Sequence, residues 1–213
     1  GPSLPIRGVA GDQQAALVGQ AGFEAGDVKS TYGTGAFLVL NTGAELRRSR
    51  SRLLSTIAYQ VGGKATYALE GSILSAGSTI QWLRDELKII RDGAHAGELA
   101  QGIADTAGVY LVPAFVGLGA PHWDSEARGA ILGLQRGSTI AHIARAALES
   151  AAFQTAELLE AMALDGERPQ RLRVDGGMAR NDWLLQFMAD VLGVEVVRPK
   201  NTETTRSEEH TSE

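Results

Sequence analysis

Apolar positions along this chain follow two rhythms, and the changes of rhythm divide it into elements. Residues 28–42 read as two short strands joined at Gly33-Thr34-Gly35, and the apolar run from Phe37 to Leu40 ends at the turn Asn41-Thr42-Gly43. Residues 53–59 and 66–69 read as a hairpin around Gly62-Gly63. Helical spacing takes over at 73–87, where Ile73, Leu74, Gly77, Ile80 and Gln81 recur on one face. A glycine inside that helix costs ~1 kcal/mol relative to alanine, so Gly77 points either to close approach by backbone or ligand, or to tight helix packing. A short helix over 98–107 and strands over 109–115 and 129–134 follow.

The strongest helix signal covers 139–162. Ile140, Ile143, Ala147, Ala151, Gln154, Leu158 and Met162 form its stripe, and Ser138 or Thr139 supplies a cap. Residues 171–174 read as a strand and Gly176-Gly177 as a turn. Asn181 or Asp182 caps a helix with Trp183, Leu184, Phe187, Met188, Val191 and Leu192 on its apolar face. Gly193 stops that helix and 194–197 returns as a strand, which makes a right-handed crossover unit. The pattern by itself gives a mixed α/β class.

Composition narrows the function classes. The 213 residues carry a formal net charge of −5 and 44% hydrophobic residues, ordinary for a globular core. No basic stripe is present, which argues against a nucleic-acid partner. The cluster Arg47, Arg48, Arg50 and Arg52 reads as a solvated loop. There are no cysteines, so disulfides and thiolate metal sites are excluded, and a reducing cytoplasm fits. No stretch approaches the ~20 apolar residues of a membrane span. His95, His122, His142 and His210 are scattered, no metal-ligating set is expected, and the neighbours His122 and Asp124 read as surface or packing residues. The chain opens Gly1-Pro2-Ser3 without an initiator Met, and a fragment or processed product is the expectation. Residues 206–213, Arg-Ser-Glu-Glu-His-Thr-Ser-Glu, spell back into the codons of a sequencing adaptor (AGATCGGAAGAGCACACGTCTGAA) and read as read-through.

Chemistry-bearing residues gather in a few segments. Gly11-Asp12-Gln13-Gln14 sets a carboxylate beside two amides. A carboxylate accepts a proton from an alcohol, and amides donate to and accept from a polyol. The same run also reads as a turn or helix cap. In Thr31-Tyr32-Gly33-Thr34-Gly35 the glycines let backbone amides approach a phosphate, and Thr34 adds a hydroxyl. The Gly176-Gly177 turn, followed by a helix N-terminus, suits an anion through unpaired amides and the helix dipole, though such a turn is also a common structural device. It is not a Walker motif, since no Gly-Lys-Ser/Thr follows.

These segments, in this order, resemble the FGGY carbohydrate kinase family. The likeness extends through Pro113-Ala114-Phe115-Val116-Gly117-Leu118-Gly119-Ala120-Pro121-His122-Trp123-Asp124 and Val174-Asp175-Gly176-Gly177-Met178-Ala179-Arg180-Asn181, and covers nearly all of 5–205. The Gly-Asp-Gln-Gln run is most particular to members that phosphorylate glycerol. The resemblance implies a ribonuclease H-like α/β domain of the actin, hexokinase and Hsp70 kind, truncated here. Residues 1–20 would be the end of a first domain and its hinge, and 21–205 an incomplete C-terminal nucleotide-binding domain.

It further implies transfer of phosphate from ATP to glycerol, with Mg²⁺ on the nucleotide phosphates, in a cytoplasmic enzyme whose intact form could be a homo-oligomer. Asp12 would be the general base and a glycerol contact. Gln13 would bind another hydroxyl, and Phe37, otherwise a plain core residue, would cover the carbon skeleton. Thr34 would reach the phosphates, while Gly77, Gln81, Gly177 and Asn181 would line the nucleotide pocket. Departures are the missing first domain, with its phosphate-binding turn and further triol contacts, and Ala36 where members often carry Cys. Without that first domain, the fragment is expected to be inactive alone. The alternatives are a kinase for another polyol or sugar, and a non-catalytic actin-like nucleotide-binding module.

Overall fold

A computed structural model describes residues 9–166 and 169–200. The tail 206–213 and the first eight residues lie outside the described residues. The elements in chain order are α1 (Asp12–Gly19), β1 (Val28–Tyr32), β2 (Ala36–Gly43), β3 (Leu54–Val61), β4 (Lys64–Ile73), α2 (Gly77–Asp85), α3 (Gly93–Gln101), β5 (Tyr110–Val112), β6 (Ala130–Leu132), α4 (Ile140–Asp165), β7 (Arg171–Asp175), α5 (Asp182–Leu192) and β8 (Glu195–Val197). A six-stranded sheet runs β3-β4-β2-β1-β7-β8, and β5 pairs with β6 apart from it. β1 through β4 are joined antiparallel, whereas β7 pairs parallel with both β1 and β8. Antiparallel strands followed by parallel ones, with helices packed on the sheet, is the ribonuclease H-like arrangement that the resemblance implies.

The register gives the sheet two unlike faces. Side chains alternate along a strand, so Val28, Ser30 and Tyr32 of β1 share one face with Leu38 and Leu40 of β2, Leu69 and Ile73 of β4, and Leu172 and Val174 of β7. That face joins α4 through Leu148, Leu158 and Met162 and α5 through Leu184 and Met188, all fully buried. Ser30 and Tyr32 are its buried polar members. The Tyr32 hydroxyl pairs with Thr155 of α4 at 2.6 Å, and burial pushes its pKa up. Gly71 is a glycine because Leu158 fills its place: a Cβ there would lie 2.8 Å from Leu158 Cδ2.

The opposite face is polar. Across it run the rows Asp175, Thr31, Phe37, Ser72 and Arg173, Lys29, Val39, Glu70. α1 sits on this side, its Leu17 buried with Val39, Ala58 and Ala68 in a second, smaller core. So the segment before residue 20, read as the end of another domain and a hinge, includes a helix seated on the sheet.

Local signals explain most boundaries. Gly62 and Gly63 both take positive φ (56° and 79°), as the two-residue hairpin β3–β4 requires. Thr139 and His142 form a reciprocal capping box at the start of α4. Asn181 caps α5, its Oδ1 accepting from the Leu184 amide at 3.0 Å, and Gly193 ends it in the left-handed conformation.

Two helices differ from the sequence expectation. The predicted helix 73–87 begins only at Gly77, because Ile73 is still paired with Ala36 in the sheet. Gly77 is therefore at the helix start rather than inside it. The predicted helix 98–107 spans Gly93–Gln101, because Asp92 caps it by accepting from the His95 amide at 2.8 Å. The strands expected over 109–115 and 129–134 pair only over Tyr110–Val112 and Ala130–Leu132.

Other features behave as surface structure. The arginine-rich loop is tied down by its backbone: the Arg50 and Ser51 amides donate to Asp165 at the end of α4. His122 pairs with Glu157 at 2.7 Å, while Asp124 accepts from the amides of Glu126 and Ala127, so the two neighbours do not act together.

Candidate active site

The β1–β2 turn and the start of α2 are joined by backbone. The carbonyl of Gly33 accepts from the Gly77 amide at 2.9 Å, and that of Thr34 from the amides of Ala76 at 2.9 Å and Ser78 at 3.0 Å. The approach is close enough that a Cβ at Gly77 would lie 2.3 Å from the Gly33 oxygen. Close backbone approach, one of the two explanations open for Gly77, is thus the operative one.

The β7–α5 turn meets the same place. Gly176 has φ of 89°, and a Cβ on it would lie 2.4 Å from the Tyr32 oxygen. Gly177 is different: a Cβ there would meet nothing within 4 Å. Among the described residues no packing demand explains Gly177, and the space beside it is open.

That space is a cavity of about 800 Å³, ample for a nucleotide. Thr34, Gly77, Gln81, Gly177 and Asn181 all line it, brought together from the β1–β2 turn, α2 and the β7–α5 junction. Arg84, Gly97 of α3, Met178, Arg180 and Trp183 complete much of the wall. Asn181 spends its Oδ1 on the α5 cap, and its Nδ2 lies so near Gly97 that a Cβ there would sit 2.9 Å away. Trp183 is held flat by Phe187, stacked at 5.3 Å, and by the Arg145 guanidinium 5.0 Å over its ring. Arg145 is itself fixed by Glu149 at 2.8 Å.

Asp12, Gln13 and Phe37 are not among the residues lining this cavity; they belong to the polar face of the sheet. Asp12 is the first residue of α1 and is exposed. Its Oδ1 accepts from the Gln13 amide at 2.8 Å, and its Oδ2 from Gln13 Nε2 at 3.3 Å. Phe37 is 38% exposed, although β2 is buried on either side of it. It is therefore not a plain core residue.

The sequence reading missed the polar cluster beneath Asp12. Lys29 is fully buried, and its Nζ donates to Gln13 Oε1 and, at 2.8 Å, to Thr31 Oγ1. Burial pulls the Lys29 pKa down to about 8, against the opposing pull of Asp175, Asp12 and Glu70. Burial also raises Asp175, which the Thr31 hydroxyl and Lys29 counteract, and Glu70, which Lys29 counteracts. A signal was available. Lys29 and Thr31 alternate with Val28, Ser30 and Tyr32 along β1, which marks one face of that strand as polar.

Mg²⁺ and a nucleotide can be weighed against these residues. The open volume beside Gly177 and the helix start behind it fit a phosphate chain. Among the described residues no group of three or more His, Asp or Glu side chains converges to form a metal cage. Mg²⁺ bound through substrate phosphates and water needs few protein ligands. No helix among the described residues is long and apolar enough to cross a membrane.

Comparison with known proteins agrees with this architecture. The chain is 60% identical over 205 residues to the glycerol kinase of Alteromonas mediterranea and 57% identical over 206 residues to that of Rhodospirillum rubrum. Each match covers 96% of this chain but 42% of the relative, so the chain spans about two fifths of their length. The glycerol kinase of Plasmodium falciparum, solved with ADP, superposes with a TM-score of 0.88 at 43% identity, over 95% of this chain and 40% of that one. A ligand-bound xylulose kinase from Lactobacillus acidophilus, 21% identical with a TM-score of 0.80 over 91% of this chain and 39% of its own, shares the fold. Residues 28–206 match the model of the C-terminal domain of the FGGY family of carbohydrate kinases, and the chain belongs to that family.

Proposed function

We propose that this chain is the nucleotide-binding part of a kinase that transfers the γ-phosphoryl group of ATP to glycerol, giving sn-glycerol 3-phosphate and ADP. In this reading Thr34, Gly77, Gln81, Gly177 and Asn181 receive the nucleotide. Asp12 accepts the proton of the attacking hydroxyl as its oxygen bonds to the γ-phosphorus and the bond to ADP breaks. Gln13 and Phe37 orient the triol, one by hydrogen bonding and the other by covering its carbons. Mg²⁺ supplies charge neutralisation on the phosphates. Most of the rate in phosphoryl transfer comes from positioning and electrostatics, with the base a smaller contributor.

The observation that carries the reading is the gathering of those five residues around one cavity of about 800 Å³, beside a polar face that ends in an exposed carboxylate. The glycerol kinases among its relatives support the choice of acceptor. Because the chain spans 42% of such a relative, we expect the 213-residue chain alone to have no glycerol-dependent turnover. The test replaces the matched segment of the Alteromonas mediterranea relative with this chain and assays ADP release. Asp12→Asn in that chimera is expected to cut kcat by roughly 10²–10⁴-fold, the range for general-base loss, with the affinity for ADP little changed. Equal losses in both would make Asp12 a binding or structural residue.

A further inference from the structure

We propose that Lys29 is a positioning residue for the phosphoryl-transfer site: it fixes the orientation of the Gln13 amide against Asp12 and ties that pair to the strand end that carries the nucleotide turn. This rests on the reading of Asp12 and Gln13 given above.

The inference begins with the direction of the hydrogen bonds. An ammonium only donates, whereas a glutamine side chain has one accepting and one donating end. Lys29 Nζ therefore selects Gln13 Oε1, and the Gln13 Nε2 must turn away from it. It turns to Asp12 Oδ2 at 3.3 Å. With Lys29 absent, either end of the amide could face Asp12, and an oxygen presented to the carboxylate would repel it.

The other arm of Lys29 runs toward the nucleotide. Nζ donates to Thr31 Oγ1 at 2.8 Å, and the Thr31 hydroxyl in turn bonds to Asp175. Asp175 is fully buried and is the last residue of β7, directly before Gly176-Gly177. Thr31 lies opposite Asp175 in the parallel pair, three residues before Thr34. A continuous polar chain thus runs Asp12, Gln13, Lys29, Thr31, Asp175, from the proposed base to the root of the nucleotide turn.

Burial explains why this arrangement is demanding. A buried ammonium is costly unless its partners compensate. The compensation comes from Asp12 of α1, Glu70 of β4 and Asp175 of β7; β2 offers only Val39, and Arg173, the like-charged cross-strand neighbour on β7, is paired with Asp27. An apolar residue would fill the same space more simply, so what Lys29 adds is charge and direction.

The test uses the chimera with the Alteromonas mediterranea relative and compares Lys29→Met with Asp12→Asn. Lys29→Met is expected to lower kcat/KM for glycerol by about 10- to 100-fold, as misplacement of reacting groups does, while KM for ATP stays within about twofold. The parent should lose activity above pH 8 as Lys29 gives up its proton, and Lys29→Met should lack that alkaline limb. A general loss of folded enzyme would move neither the selectivity for glycerol nor the limb. If Asp12→Asn abolishes turnover but Lys29→Met leaves the glycerol kinetics and the pH profile intact, the positioning role is overturned and the base stands. If Asp12→Asn is harmless, the base reading fails instead.

A second measurement needs no turnover. In the 213-residue chain, the side-chain NH₂ resonances of Gln13 should be shifted by Lys29→Met. Unchanged resonances would overturn the proposal whatever the kinetics show.

Discussion

The two faces of the central sheet solve opposite problems with the same strands. On one, Val28, Leu38, Leu69 and Leu172 meet α4 and α5, and nearly every contact is apolar and buried. On the other, residues offset by one position in those strands present Lys29, Thr31, Glu70 and Asp175, with α1 covering only part of them. The first face accounts for the domain's stability. The second holds charge out of water at a cost, and the proposed reason for keeping it there is chemical. A one-residue slip in register would exchange the two faces, so the same pairing that builds the core also aims the polar cluster.

The contrast can be broken most forcefully from the apolar side. Leu158 is fully buried on α4 against Gly71, and Leu158→Ala should cost about 2–5 kcal/mol in urea unfolding of the chain. A loss near zero would mean that α4 is not the main support of the sheet. A smaller effect separates the two turn glycines. Gly77→Ala drives a methyl against the Gly33 carbonyl and should cost about 1–3 kcal/mol, as overpacking does, together with ADP binding. Gly177→Ala meets open space, so it should leave stability within about 0.5 kcal/mol while weakening ADP binding, read by calorimetry. If both variants behaved alike, the cavity would not be where the ligand goes.

The polar face gives the next test. Lys29 has a folded pKa of about 8 against an ordinary value of 10.5, so between those pH values the unfolded chain holds more protons. Stability should therefore rise with pH from about 8 toward 10, before the raised pKa of Tyr32 works against it. Lys29→Met should remove the rise. The smallest change is expected at Phe37, 38% exposed: Phe37→Ala should shift stability by no more than about 0.5 kcal/mol, where a core phenylalanine would cost about 3–5.

Much of the apolar face was legible in the sequence, because periodicity and caps are local. The β1–β2 and β3–β4 pairs, α4 with its Thr139 cap, and the unit from Arg171 to Val197 all follow from spacing and turn residues. The errors have local causes too. Ile73 and Leu74 carry helical spacing into α2, yet β4 claims Ile73 through its pairing with Ala36. The start of α3 is rich in small residues, and its clearest mark was the cap at Asp92. The polar face was less legible. Lys29 meets Asp175 only because β1 lies beside a strand about 140 residues further along, and meets Gln13 only because α1 folds back onto the sheet. No spacing in the chain encodes those meetings. The residues proposed to receive the nucleotide, by contrast, stand in short motifs, and the cavity collects them from distant segments.

The backbone bonds that fasten the Gly33–Thr34 carbonyls to the first amides of α2 have a mechanical consequence. The turn and the helix are one lever, so contact made at Thr34 is delivered along α2 without slack. The amides of Ala76, Gly77 and Ser78 should therefore slow their deuterium uptake in unison when ADP arrives, rather than one after another.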